Sequence, residues 1–508
     1  MTVSSSWRQV AAATAILTLA ACGDDSNSNN AAQTDAARAA EQVTAQAKGG
    51  GAPGPATVSR GEQLYRDAER IANAGRDLEA RQTFERALAA FKSANDRPGE
   101  GKTLVAMGSL DRAMGQGERG RQVLRDADAV YTALNDPKGR AETAFALGEL
   151  ERAQFNNETS RQVFDRAAGL FRAASDWSGE ARSLLGRADV ERRLAHILSA
   201  QRSAARAQAI YTVLRETQNA TLARRSLEEV TTNYPDDNEE AREALRTEAL
   251  QLEQAGDLPG EAMVVLRIAA LEHNAGRPAQ AREAYNRALD LLRSEQQQQA
   301  GLVRALTGLG DLERDLEFAD AAISAYTTAR GLAQQLSDPV AQGAILVGLA
   351  DVERSRGGAT AAQLAQEARE LFQRAGNRAG EAAALVAQAR IALKANDVAA
   401  AERAITDAQQ AAPADDAVAA QVQRTLADVQ RAKSDAAAIE TYRKALAAFE
   451  ASGTRLGEAW SLLGLGRALA GTSPTEAKVN LLLAANAFAT LGMEARRAEA
   501  SAAAAAIN

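Results

Sequence analysis

The stretch Arg97-Pro98-Gly99-Glu100-Gly101-Lys102-Thr103 ends in Gly-Lys-Thr, the tail of a loop that cradles nucleotide phosphates. The full pattern is G-x-x-x-x-G-K-[ST], placed between a strand and a helix. The position of its first glycine holds Asp96, whose carboxylate would face the phosphates. Residues 81–94, just before it, have helical and not strand periodicity. The stretch therefore does not read as a nucleotide site. The other chemistry-bearing residues are few. His196 and His273 stand 77 residues apart, with no H-E-x-x-H spacing and no carboxylate cluster beside either. They read as helix-surface residues rather than ligands. A single cysteine, Cys22, excludes internal disulfides and Cys-rich zinc sites. There is no G-x-S-x-G and no Cys–His pair, so neither catalysis nor a cofactor or metal is expected.

What does recur is a short acidic and basic motif. Gly108-Ser109-Leu110-Asp111-Arg112 returns as Gly148-Glu149-Leu150-Glu151-Arg152 and as Ala188-Asp189-Val190-Glu191-Arg192, each time 40 residues on. Gly310-Asp311-Leu312-Glu313-Arg314 and Ala350-Asp351-Val352-Glu353-Arg354 are again 40 apart, and Ala427-Asp428-Val429-Gln430-Arg431 is a further copy. Self-similarity at such a period signals a solenoid. A glycine stands nine places before these small anchors, at Gly99, Gly139, Gly179, Gly260, Gly301, Gly380 and Gly457, often followed by Glu. The reading is a repeated turn and helix start, with Gly supplying the turn and Glu favoured near the positive helix N-terminus. Gly99-Glu100-Gly101-Lys102-Thr103 is one copy of it.

Twelve places after each anchor comes a small residue, as at Ala80, Gly120, Ser160, Ala281 and Ala362. Then follow a large apolar residue (Phe84, Leu124, Phe164, Tyr285, Tyr326), an Ala (Ala87, Ala127, Ala167, Ala288, Ala329), and a second large residue (Phe91, Tyr131, Phe171, Tyr211, Leu292). Steps of three and four mark one helix face. Each unit is thus two helices: A with the anchor, B with the aromatic–Ala–aromatic stripe. One hairpin cannot bury its stripe, so neighbours must stack.

Composition agrees. The chain has 508 residues, 46% hydrophobic, 25% charged and only 4% aromatic, which suits thin helices packed closely. A net charge of −7 argues against nucleic acid as a partner.

The N-terminus reads as an address. Residues 10–21 form an apolar run too short to span a bilayer, and it ends Leu19-Ala20-Ala21-Cys22. These four residues resemble the lipobox of bacterial lipoproteins, in which the cysteine is acylated and becomes the new N-terminus. The resemblance implies a signal peptide over 1–21 and a lipid anchor at Cys22. Gly23, and not Asp, follows the cysteine. In the sorting pattern of Gram-negative lipoproteins this implies the periplasmic face of the outer membrane. Residues 22–59 are rich in Asn, Ala, Gln, Ser, Gly and Pro and read as a flexible tether, spanning on the order of 35 Å root-mean-square.

Gly or Ala at the eighth place of the unit, a small residue at the twentieth, an aromatic at the twenty-fourth and Ala at the twenty-seventh resemble the tetratricopeptide repeat (TPR). The unit here has 40 residues instead of the family's 34, with Asp-containing turns such as Asn135-Asp136-Pro137 in place of its terminal proline. The resemblance implies an all-α, right-handed superhelical solenoid of antiparallel helix pairs. Anchors near 68, 108, 148, 188, 229, 269, 310, 350, 389, 427 and 466 suggest about eleven units. The 229 unit lacks the anchor glycine, and Tyr234-Pro235-Asp236-Asp237 interrupts its turn, with Pro413-Ala414-Asp415-Asp416 a milder break. The expected arrays are therefore 60–227 and 228–492, with a capping helix over 493–508.

In this family helix A lines a concave groove that binds protein or peptide. The resemblance assigns the groove to places six and three before the anchor and one and four after it. Here those places hold Arg112, Phe145, Glu149, Arg152, Asp189, Arg192, Asp311, Arg314, Asp351, Arg354, Asp428, Arg431 and Trp460. Two readings of the acid–Arg pairs stay open: ion pairs three apart on a solvated face, or a ladder offering guanidinium groups to a peptide's carboxylates. Trp460 is either core or peptide anchor. The expected function is a tethered scaffold for protein partners. The rivals are a structural part of an envelope secretion, pilus or polysaccharide-export assembly, and an enzyme acting on cell wall.

Overall fold

The computed structural model describes residues 59–233, 239–293, 298–412 and 417–507. The expected leader, Cys22, the tether up to residue 58, and the breaks at Tyr234-Pro235-Asp236-Asp237 and Pro413-Ala414-Asp415-Asp416 lie outside them. Among the described residues every regular element is an α-helix. Helices pack in successive antiparallel pairs, so the fold is an all-α solenoid of helix hairpins.

Two compact units divide the chain, one ending at Ser175 and the other beginning at Asp176. The first holds α1 (Arg60–Asn73), α2 (Asp77–Ser93), α3 (Arg97–Ala113), α4 (Gly117–Ala133), α5 (Pro137–Ala153) and α6 (Asn157–Ala173). The second begins with α7 (Trp177–Arg193), α8 (Ile197–Val213), α9 (Thr217–Asn233), α10 (Glu239–Ala255), α11 (Leu258–Asn274), α12 (Pro278–Arg293), α13 (Gln299–Asp315) and α14 (Ala319–Gln335). It continues with α15 (Pro339–Arg356), α16 (Ala361–Arg374), α17 (Arg378–Lys394), α18 (Val398–Ala411), α19 (Ala417–Ala432) and α20 (Ala437–Ser452). It ends with α21 (Arg455–Leu469), α22 (Pro474–Thr490) and α23 (Glu494–Ala505).

The helix starts follow one local rule. Asp96, Asp136, Asp176, Asp257 and Asn377 cap α3, α5, α7, α11 and α17, each side chain accepting from the amide three residues on. Just before these caps, Asn95, Asn135 and Ser175 take positive φ and turn the chain. The repeated glycine therefore plays a different part from the one its position suggests. Gly99, Gly139, Gly380 and Gly457 lie inside helix A, not in the turn. Each is needed because the last aromatic of the preceding helix B lies flat on it. A Cβ at Gly139 would stand 2.1 Å from Tyr131, and one at Gly380 would stand 2.2 Å from Phe372.

The stripes form the core as expected. Phe84, Leu124, Phe164, Tyr285 and Tyr326 are buried, as are the Ala and aromatic residues that follow them. One register differs. In α16 the buried residues are Ala361, Ala365, Ala368 and Phe372, while Ala362 is exposed. Gly357, in the left-handed conformation, ends α15 one residue later than its counterparts and shifts the stripe.

Helices A form the inner layer. They pack on the next helix A, α3 on α5 in the first unit and α13 to α15, α17 and α19 in the second. No comparable packing of neighbouring helices B is found among the described residues. The 229 unit is not a packed hairpin: α9 packs on α8 and α7, whereas α10 packs on α11. In the second unit the last pair returns to the start, with α22 packing on α8. A single helix, α23, follows and packs on α22.

Candidate functional site

The Gly-Lys-Thr stretch is accounted for without a nucleotide. The Gly99 amide is taken by the Asp96 carboxylate at 2.9 Å, and Thr103 donates to the Gly99 carbonyl at 2.8 Å. Lys102 lies over the Tyr65 ring at 3.9 Å. The start of α3 therefore offers no free cradle of amides around that lysine.

The inner layer is where charged side chains converge. In the first unit Arg112 is exposed, Glu149 meets Arg152 at 2.7 Å, and Phe145 packs beside Phe164 with ring centroids 5.8 Å apart. In the second unit Asp189 meets Arg192 at 2.7 Å and Arg193 at 2.8 Å. Asp311 meets Arg314 at 2.8 Å, and Asp351 meets Arg354 at 3.1 Å. Asp428 and Arg431 join through a third group: the Tyr442 hydroxyl donates to Asp428 and accepts from Arg431 at 3.3 Å. Trp460 lies half-buried under its own array, edge-on to Phe488 at 5.1 Å and beneath the Arg496 guanidinium at 5.1 Å.

Not all of these form one site. The residues of α13, α15, α17 and α19 do. Arg390 on α17 reaches Asp351 at 3.3 Å and the buried Thr425 hydroxyl at 3.4 Å, tying the Asp351–Arg354 pair to α19. Arg424 meets Asp428 at 3.4 Å. Lys394 donates to the Arg354 carbonyl at 2.6 Å. The result is a strip of alternating guanidinium and carboxylate across four inner helices. Asp189 and Arg192 stand on α7 and Trp460 on α21, outside that strip.

Two tyrosines of the B stripe feed the strip from behind. Tyr326 passes between α13 and α15, where a Cβ at Gly348 would stand 2.4 Å from its ring, and its hydroxyl donates to Asp311 at 2.7 Å. Tyr442 uses Gly464 in the same way, a Cβ there falling 2.3 Å from its ring. Burial holds both hydroxyls well above the ordinary tyrosine range, so both stay protonated donors.

The electrostatics follow from crowding. Burial would push the Asp315 carboxyl up, but the Arg314 guanidinium and a hydrogen bond with His273, at 3.1 Å, outweigh it and hold the carboxyl down at about 2. The folded value is below the unfolded one. The stability this group contributes is therefore complete above about pH 4 and is lost as the pH falls toward 2. Asp315→Asn is expected to be less stable than the parent at pH 7, on the order of 2 kcal/mol, and to match it near pH 2. Chemical denaturation across that range checks this; a gap that does not close on acidification would refute it. At Arg390, burial first and the Arg424 charge second push the guanidinium down from its usual value.

Sequence reading missed two sets of residues. The first is Arg390, Arg424, Tyr326 and Tyr442. The signal for Arg390 was present: the place after the anchor is acidic at Glu149, Asp189, Asp311, Asp351 and Asp428, and at 390 the sign reverses. The second set is the acid three places after several of the anchors. Asp111, Glu151, Glu272 and Glu313 are buried and face an arginine of the preceding helix B. The pairs are Arg81–Asp111 at 3.5 Å, Arg121–Glu151 at 2.6 Å, Arg242–Glu272 at 3.2 Å and Arg282–Glu313 at 2.6 Å. These staple one repeat to the next. Among the described residues no group of His, Cys, Asp and Glu could hold a metal ion, and no helix is long and apolar enough to cross a membrane.

No protein-family model and no curated protein matches the chain. Solved structures do. The Cut9–Hcn1 hetero-tetramer of the APC/C aligns at 14% identity over 88% of this chain and 97% of that one, with a TM-score of 0.38. Yeast Tom70 aligns at 12% identity over 82% of this chain and 98% of its own, with a TM-score of 0.31. A human IFIT1 dimer with PPP-AAAA aligns at 15% identity over 86% of this chain and 88% of its own, with a TM-score of 0.29.

Proposed function

We propose that this chain is a non-catalytic scaffold of the bacterial envelope, of the forty-residue tetratricopeptide type. It is anchored by lipid at Cys22 to the periplasmic face of the outer membrane, and it receives protein or peptide partners on its inner helix layer. The observation that carries the reading is the strip on α13, α15, α17 and α19. Arg314, Arg354, Arg390 and Arg424 are held there by neighbouring side chains, and each side chain stays partly exposed. Oriented, partly desolvated guanidinium groups recognise planar anions with bidentate geometry. Nothing in that set activates water or a nucleophile, which separates a binding face from a catalytic one.

The test has two arms in cells. Cys22→Ser is expected to leave the protein unprocessed or in the soluble fraction; mature-sized protein still in the membrane fraction would overturn the anchor. A photo-crosslinking amino acid at Arg354 is expected to give discrete protein adducts, and the same residue at the exposed Glu370 of α16 is expected to give none. Equal labelling from both positions would overturn the binding face.

A further inference from the structure

The strip is unevenly charged. Across α13, α15, α17 and α19 it carries Arg314, Arg354, Arg390, Arg424 and Arg431 against Asp311, Asp315, Asp351 and Asp428. Each aspartate is already shared. Asp351 serves Arg354 and Arg390; Asp428 serves Arg424 and Tyr442; Asp311 serves Arg314 and Tyr326. A guanidinium has five N–H donors, so donors on this face far outnumber the acceptors. The longer contacts, 3.3 Å for Arg390 and 3.4 Å for Arg424, leave both groups incompletely paired while their own charges crowd each other. This is a cationic face on a chain of net charge −7, and it suits an anionic ligand.

The spacing says which kind. Packed helices stand about 8–10 Å apart. An extended chain advances about 3.3 Å per residue, so three residues match one helix-to-helix step. A polynucleotide fits poorly. Its phosphates are continuous, while here aspartates interrupt the arginines, and no aromatic ring is open on the strip for bases to stack on, Tyr326 and Tyr442 being fully buried.

Resting on the scaffold reading above, we propose that the strip binds an extended acidic segment of a partner protein with a carboxylate at about every third residue, one facing each inner helix from α13 to α19. The aspartates between the arginines then set the register by repelling carboxylates placed between those steps.

The experiment uses the full chain in detergent and fluorescent peptides followed by anisotropy. One peptide repeats Asp-Gly-Ser; a second has the same composition with its aspartates clustered; a third replaces Asp by Lys; the fourth probe is oligouridylate. The spaced acidic peptide is expected to bind at least about tenfold more tightly than the clustered one, and to weaken as salt is raised. Arg424→Gln is the main variant because Asp428 keeps Tyr442 as a partner, and thermal melting shows that it folds. It is expected to lose about tenfold in affinity for the spaced peptide, and Arg390→Gln likewise, while Arg66→Gln on the exposed face of α1 changes nothing. Equal affinity for spaced and clustered peptides, no binding of the spaced peptide, tighter binding of oligouridylate, or an unaffected Arg424→Gln would each overturn the proposal. If Arg354 crosslinks in cells to a segment without spaced acids, the acidic register falls and the scaffold reading stands. If Arg354 gives no adduct, both fall.

Discussion

Phe164→Ala is expected to destabilise the α5–α6 hairpin by about 3–5 kcal/mol. The ring is fully buried, it faces Phe145 on α5, and it lies on Gly148, the anchor of that helix. Truncation leaves a cavity between two closely packed helices, and alanine cannot span the gap. In the first unit the helices pack only on those near them in sequence, so the loss is local and global cooperativity is limited. Native-state hydrogen exchange is therefore the measurement: amides of α5 and α6 should lose protection while those of α1 keep theirs. A double-mutant cycle adds a sharper requirement. A Cβ at Gly148 would stand 2.8 Å from Cδ1 of Phe164, so Gly148→Ala alone overpacks and is expected to cost about 1–3 kcal/mol. In the Phe164→Ala background the same methyl enters the vacated space and should cost little. A coupling near zero between the two substitutions would show that ring and glycine do not form the joint described here.

That joint was legible in the sequence because it repeats. Small anchors and large stripe residues recur at fixed steps, and the rings of Phe84, Phe164 and Tyr326 fall where those steps put them. The reason for the glycines nine places earlier was not legible. Sequence shows a glycine after a polar turn and suggests a turn. The structure shows a helical glycine under a ring from eight residues back, as Phe372 lies on Gly380. Both explanations give the same letter, and only the third dimension separates them. The acid three places after the anchor was visible but hidden in plain view by its neighbour. In Gly148-Glu149-Leu150-Glu151-Arg152 either glutamate could pair with Arg152; Glu149 does, while Glu151 turns into the repeat joint toward Arg121. The shift at Ala361 needed knowledge of where α15 stops, a one-residue matter that periodicity does not resolve. Least legible was the return of α22 to α8. It depends on a small rotation per repeat summed over many repeats, and no single residue encodes that sum.

The return contact carries the second large effect. Its polar half centres on Arg202 of α8, which donates to Glu458 at 2.5 Å and to the Glu450 carbonyl at 3.2 Å, while Arg455 reaches Gln201 at 3.4 Å. Glu458 is 5% exposed, so its charge depends on these partners. The other half lies at the ends of α11 and α13, where Leu316 packs with Leu456, Leu491 and Met493, and Arg496 donates to Glu317 at 2.5 Å. Arg202→Glu replaces a partner by a like charge beside a buried carboxylate, and breaking a buried pair this way costs about 3–5 kcal/mol. A surface pair would cost far less, so the size of the effect itself reports burial. Cys22 is the only cysteine, so a Cys22→Ser background allows spin labels at two chosen places. With labels at the exposed Thr212 and Ala451, the parent is expected to give one narrow distance distribution. Arg202→Glu should broaden and lengthen it, and Arg202→Glu with Arg496→Glu should abolish the short population, because the second substitution removes the other polar hold. Arg496→Glu alone leaves the Arg202 half intact and should give the smaller change. If the distribution in the double variant matches the parent, the array does not close through these two arginines, and the apolar packing of α22 on α8, with the patch of Leu316, Leu456, Leu491 and Met493 at the end of α13, must hold it closed.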